Sequence, residues 1–224
     1  MKNIASILIV LISLSTFAQS ELVKEVGDIS VVKVFDLIEV NLIKSSENKV
    51  VVKGENVDDV KVINDQGKLK IRMLLERRFN GNETFVEVHY TSLDIIDVNE
   101  GSVIVSNELI KQNTIELRAQ EGGKIHVGLD VNFAKMRAVT GGIIEASGLS
   151  KSQEIVLNTG GIFEGRELNT ENTKIKITAA GEAEINASNK VDASVTAGGE
   201  IYIYGEPSTV NKKTFAGGSI QIMN

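Results

Sequence analysis

The 224-residue chain is 42% hydrophobic but only 4% aromatic, and its 24 Lys and Arg residues against 30 Asp and Glu residues give a formal net charge of −6. That is enough chain to bury a sizeable core, and the acidic balance supplies no broad field for a polyanion, so no nucleic acid is expected as a partner. Having no cysteine and two histidines, it lacks the ligands and nucleophiles for disulfides, iron–sulfur clusters, thiolate catalysis or a histidine-rich zinc site, and no cofactor is expected.

The first expected element is an export signal. Lys2 precedes an apolar run from Ile4 to Leu14, and the small residues Thr16 and Ala18 stand before Gln19, so residues 1–18 read as a signal peptide cleaved after Ala18. The run is short for a bilayer span, and no later stretch replaces it. The expected mature protein has no transmembrane segment and resides in the periplasm, at the outer-membrane surface or outside the cell. An uncleaved amino-terminal anchor is the alternative.

Val and Ile then crowd into short alternating runs bounded by Gly, Asn, Asp and Ser, the pattern of strands rather than helices. The spacing predicts strands near Val31 to Val34, Ile38 to Ile43, Val50 to Lys53, Val60 to Ile63, Leu69 to Met73, Phe85 to Tyr90 and Ile95 to Val98. The loop Leu75 to Glu83 breaks this regularity. Its bland reading is a polar hairpin with an Asn-Gly tip, and its functional reading makes Arg77, Arg78 and Phe79 an anchor for a glycan or protein surface.

From Gly101 the chain repeats. The segments NEGSVIV, QEGGKIHV, VTGGIIEA, NTGGIFEG, TAAGEAEI, TAGGEIYI and FAGGSIQI end their glycine runs at Gly101, Gly123, Gly142, Gly161, Gly181, Gly199 and Gly218, in steps of 18 to 22 residues. One coil of a parallel solenoid fits this period; a four-stranded propeller blade does not. The second residue after each glycine (Val103, Ile125, Ile144, Phe163, Ala183, Ile201, Ile220) is expected to point inward. The third (Ile104, His126, Glu145, Glu164, Glu184, Tyr202, Gln221) is expected to point outward. An antiparallel sandwich of short Val-rich strands is the competing architecture.

These T-x-G-G-I-x-E/A coils, together with the front segment VFDLIEVNLIKSSENKVVVKGENVDDVKVINDQGKLKIRM, resemble the auto-transporter adhesin head GIN domain of Bacteroidetes. The resemblance covers almost all of the mature chain and implies an all-β, right-handed parallel β-helix on an exported protein. On this reading residues 19–98 form an amino-terminal β segment that caps or extends the helix. Residues 99–224 form the glycine-cornered coils, continuous with it. The chain is too short to add a translocator barrel, so self-transport is not expected.

Glu145, Glu164 and Glu184 form the most suggestive column, with neighbours about 5 Å apart. Their mutual repulsion is about 0.8 kcal/mol per pair in water and roughly 3 at an effective dielectric of 20. A cation, a ligand, or Arg118, Arg137 and Lys176 at the fifth position before the glycine would offset it; a solvated, salt-screened face is the plain alternative. The calcium β-roll pattern fails for want of a regular aspartate. His89 and His126 read as strand residues, and Tyr202 and Tyr204 as surface aromatics suited to stacking on a sugar. The sequence thus predicts an exported, non-enzymatic module that contacts a glycan or cell-envelope protein. A carbohydrate-active enzyme and a passive envelope element are the alternatives. The final segment Gly218 to Asn224 shows no polar cap, which predicts self-association through the solenoid end.

Overall fold

The computed structural model describes residues 21–54 and 56–223; the expected signal, residues 1–18, lies outside the described residues. Strand β1 (Glu21–Glu25) is followed by β2 (Val31–Val34), β3 (Glu39–Lys44), β4 (Lys49–Gly54), β5 (Val60–Asp65), β6 (Lys68–Met73), β7 (Thr84–Tyr90) and β8 (Ile95–Val98). Five long strands then wind through the repeats: β9 (Val103–Gln120), β10 (Lys124–Val139), β11 (Ile143–Asn158), β12 (Gly161–Thr178) and β13 (Gly181–Thr196). The chain ends in β14 (Glu200–Tyr204), β15 (Thr209–Phe215) and β16 (Ser219–Ile222). Strands make up 71% of the described residues, and the stacked coils form a solenoid of about 7 turns, each near 19 residues.

Successive coils pair in parallel and in register. Ile125 lies on Ile144, Ile144 on Phe163, and Phe163 on Ala183. From β9 to β13 each coil is one strand from corner to corner, because the side away from the corner also pairs, from Leu129 opposite Gly148 through Phe133 opposite Ser152. The corner is built from two consecutive residues in the left-handed region, such as Thr159 and Gly160 at φ 50° and 74°. The glycine after them is wanted for space rather than for φ at Gly123, Gly142 and Gly161, whereas Gly181, Gly199 and Gly218 are also at positive φ, 141°, 118° and 99°. A Cβ on Gly161 would stand 2.1 Å from the carbonyl oxygen of Ala138.

The first repeat departs from the sequence alignment. Glu100 and Gly101 hold the two left-handed positions at φ 52° and 70°, so Ser102 takes the place of the second glycine and the register moves by one residue. Ile104, not Val103, therefore points into the core and pairs with Ile125, while Val103 and Val105 face outward.

The front segment both extends and caps the solenoid. Strands β2 and β3 form a coil around the left-handed corner Asp36-Leu37. Strand β2 is sandwiched between β6 and β8, and β3 between β7 and β9, all parallel. Beyond them β5 on β6, and β4 on β7 with β1 on β4, pair antiparallel and close that end. Strands β6 and β7 do not pair with each other, so the loop between them is a coil corner rather than a hairpin.

The core is a set of columns. Ile104, Ile125, Ile144, Phe163, Ala183 and Ile201 stack at 0–1% exposure, each burial contributing about 1.5–3 kcal/mol for the larger side chains. Phe163 is accommodated by small neighbours: Ala183 lies on it, and a Cβ on Gly165 would stand 2.2 Å from its ring. At the other end of the solenoid, β15 puts Lys212 on Ala193, in a column that otherwise carries Leu117, Met136, Ile155 and Ile175. Its Nζ reaches across to donate to the carbonyl of Ile220 at 3.1 Å. The final described coil thus carries a polar group over the core, which the sequence reading missed.

Candidate binding face

Two sheets meet at the glycine corner, and alternation sends every second side chain of each to solvent. On the sheet that follows the corner, the outward column runs His126, Glu145, Glu164, Glu184, Tyr202 and Gln221, each paired with the next. The structure therefore brings Glu145, Glu164, Glu184 and Tyr202 together on one line, with Tyr204 two residues along β14 on the same face.

Local partners offset part of the carboxylate repulsion. His126 Nδ1 lies 2.7 Å from Glu145 Oε2. The Tyr204 hydroxyl donates to Glu184 Oε1 at 3.3 Å, and the Arg166 guanidinium stacks 4.5 Å from the Tyr204 ring centroid. Glu164, between them, has no ion pair or side-chain hydrogen bond among the described residues. Over it lies an open groove of about 280 Å³ lined by His126, Glu145, Glu164, Arg166, Glu167 and Glu184. Tyr202 donates instead to Glu200 at 2.6 Å, and that hydrogen bond to a carboxylate pushes its phenol up to about 12.

Arg166 escaped the sequence reading. Its coil carries one extra residue, the 20-residue step from Gly161 to Gly181, and the structure spends it in a register break between Gly165 and Asn169 that places Arg166 beside Tyr204. Unequal step length was the only available signal. The proposed offsets Arg118, Arg137 and Lys176 do not reach the glutamates. Being before the corner, they stand on the other sheet, where Arg118 pairs with Glu116 at 2.8 Å.

The loop candidates lie elsewhere. Arg77, Arg78 and Phe79 sit at the corner between β6 and β7, several coils from Glu145. Arg77 pairs with Asp59 at 3.4 Å. Arg78 bridges two acids, its Nε 3.7 Å from Asp36 Oδ1 and its Nη2 3.0 Å from Glu100 Oε1. Asp36 is 2% exposed and accepts from the backbone N–H groups of Met73 and Phe79. Burial, and then the adjacent Asp36 charge, push the Glu100 carboxyl up from its usual value, against the pull of Arg78. Arg78 is thus committed to holding the corner. Phe79 is 55% exposed, with Arg78 5.3 Å over its ring. Among the described residues, no three His, Asp or Glu side chains converge as a metal would require, and no helix is long and apolar enough to cross a membrane.

The fold and this face define a parallel β-solenoid that displays in-register polar columns along its length. Residues 28–207 match the family described as "Putative auto-transporter adhesin, head GIN domain", and the chain belongs to that family. Solved structures with the same fold include a "putative adhesin" from Bacteroides fragilis at 13% identity and TM-score 0.84, covering 93% of this chain and 98% of that one. A "putative lipid binding protein" from Parabacteroides distasonis matches at 15% identity and TM-score 0.69, with the same coverage. A "putative adhesin" from the same species matches at 19% and 0.58, over 91% of this chain and 96% of that one. No curated protein matches the sequence.

Proposed function

We propose that the protein is an exported, adhesin-like, non-enzymatic module that holds a glycan or cell-envelope protein on its Glu145–Glu164–Glu184 face. The observation that carries this reading is the groove over Glu164, whose carboxylate is unengaged while its neighbours Glu145 and Glu184 are held by His126 and Tyr204. Glu164 offers acceptors to sugar hydroxyls or backbone N–H groups, and the Arg166–Tyr204 stack supplies a flat edge and a donor fork. A single line of carboxylates on one sheet face works against catalysis, since glycosidase acids flank the scissile bond. The family description and the adhesin relatives support the same direction.

The test is a glycan array and an envelope-protein pull-down with the mature protein. Selective binding that falls at least about tenfold in Glu164→Gln and Tyr204→Ala is the expected result. Turnover of a bound glycan, or binding indifferent to both substitutions, would overturn it.

A further inference from the structure

Two outward columns, one on each sheet, carry opposite charge, while the column beside the cationic one mixes Glu116, Lys135, Glu154, Lys174 and Asp192. Outward positions after the corner include Glu87, Glu145, Glu164, Glu182 and Glu184, whereas the column five residues before the second glycine holds Arg118, Arg137, Lys176 and Lys213, with Val156 and Ser194 between them. Unlike Arg118, the side chains of Arg137, Lys176 and Lys213 are exposed and have no ion pair among the described residues. They recur at every second strand, about 9.6 Å apart. Near Lys176 and Lys213, around Ser194, the surface forms an open groove of about 280 Å³.

We propose that this cationic column docks on the glutamate column of a second copy of the chain, side by side. The inference rests on the binding face described above and names a partner for it. The same coil generates both columns, so their spacings are commensurate over the whole length. The heights also match: Arg137 and Glu145 flank the corner of one coil, and Lys176 and Glu184 flank the corner two coils further on. A second copy with its axis parallel, no axial slip, and a turn about that axis that brings the two faces together sets Arg137 opposite Glu145 and Lys176 opposite Glu184. Glu164 then faces the small apolar Val156. Such an interface is heterologous, so it adds further copies as a ring or an open row rather than closing as a two-fold dimer. Its contacts are exposed charges, each weak, and strength accumulates along the columns and the row.

Salt dependence separates this arrangement from its alternatives. Copies of net negative charge repel more strongly as salt is lowered, whereas paired columns attract more strongly. Sedimentation of the mature protein between ~0.05 and ~0.5 M salt, across which the Debye length shrinks severalfold, should show association at the low end only. Arg137→Glu/Lys176→Glu and Glu145→Lys/Glu184→Lys should each stay folded by circular dichroism and lose association by roughly tenfold or more. An equimolar mixture of the two should associate again, because the reversed charges are complementary.

A wild type that is monomeric at low salt would overturn the proposal. So would association that survives both reversals, which would place the contact elsewhere, such as at the last coil. Failure here is distinguishable from failure of the binding reading: Arg137→Glu/Lys176→Glu leaves the Glu164 groove intact and should keep any array or pull-down signal of the wild type.

Discussion

The corner makes two adjacent glycines unequal. Gly160 is in the left-handed region at φ 74°, with nothing within 4 Å of an added Cβ. Gly160→Ala therefore costs only the backbone preference, about 1 kcal/mol. For Gly161, not at positive φ, an added Cβ meets the Ala138 carbonyl oxygen at 2.1 Å and its carbon at 2.5 Å, where real Cβ contacts essentially never fall under 3.0 Å. Backbone must retreat by about 0.9 Å, and the ladder bond from the Ile162 N–H to the Gly142 carbonyl, 2.9 Å, lies in its path. Overpacking and one or two weakened hydrogen bonds bring the expected cost of Gly161→Ala to about 3 kcal/mol or more. Urea denaturation followed by far-ultraviolet circular dichroism measures both, provided the m-value is constant. The chain contains its own controls. Ala180 stands at the first position at φ 63°, and the clash distance grows from 2.1 Å at Gly161 to 2.2 Å at Gly142 and 2.9 Å at Gly123, one coil before Ser102 is tolerated. A Gly160→Ala cost equal to or above that of Gly161→Ala would refute the steric account.

Removing the Asp36 carboxylate leaves the Met73 and Phe79 N–H groups without their acceptor and Arg78 with Glu100 alone, so Asp36→Ala should lose about 3 kcal/mol in the same denaturation assay. Hydrogen bonding from Arg118, aided by Lys135, holds the Glu116 carboxyl below its ordinary 4.5. Its stabilising contribution is present above that value and disappears as pH falls through the lower folded value, so acid titration of Glu116→Gln should show a shallower loss of stability there than wild type. Glu200→Gln should bring the Tyr202 phenol down from about 12 toward 10, read by ultraviolet titration of tyrosinate. Truncating Phe163 to Ala should cost about 3–5 kcal/mol, and Gly165→Ala should be destabilising with Phe163 present but much less so in a Phe163→Ala background, where the ring is gone and the Glu184 carbonyl oxygen at 3.1 Å is the remaining close contact.

The sequence exposed what the period controls. Five of the seven repeats carry their own register in a Gly-Gly pair and a sixth in Ala180-Gly181, and the front strands appear as alternating Val and Ile runs, so the solenoid and the glutamate column could be read without coordinates. The first repeat could not, because Glu100-Gly101-Ser102 contains a single glycine and nothing local says which of the two corner positions it fills. Contacts that depend on the stacking order of nonconsecutive coils were also hidden. Strand β2 lies between β6 and β8, so the chain passes a coil already laid down, and Arg78 meets Asp36 and Glu100 only as a result. Lys212 likewise reads as an ordinary surface lysine until the pairing with Ala193 places it in a core column.

Stability and recognition are divided here by the parity of a position along the strand. Phe163 points inward at 0% exposure, and its loss is felt by the coils on both sides; Glu164, the next residue, points outward and has no ion pair or side-chain hydrogen bond among the described residues. Substituting Glu164 should therefore shift stability by no more than about 0.5 kcal/mol. The outward columns are free to vary in chemistry while the inward columns and corner glycines keep the pitch. Because that pitch is common to every column, a charge placed once per coil becomes an evenly spaced row without further design, and a partner with the same spacing, above all another copy, can meet it along its whole length.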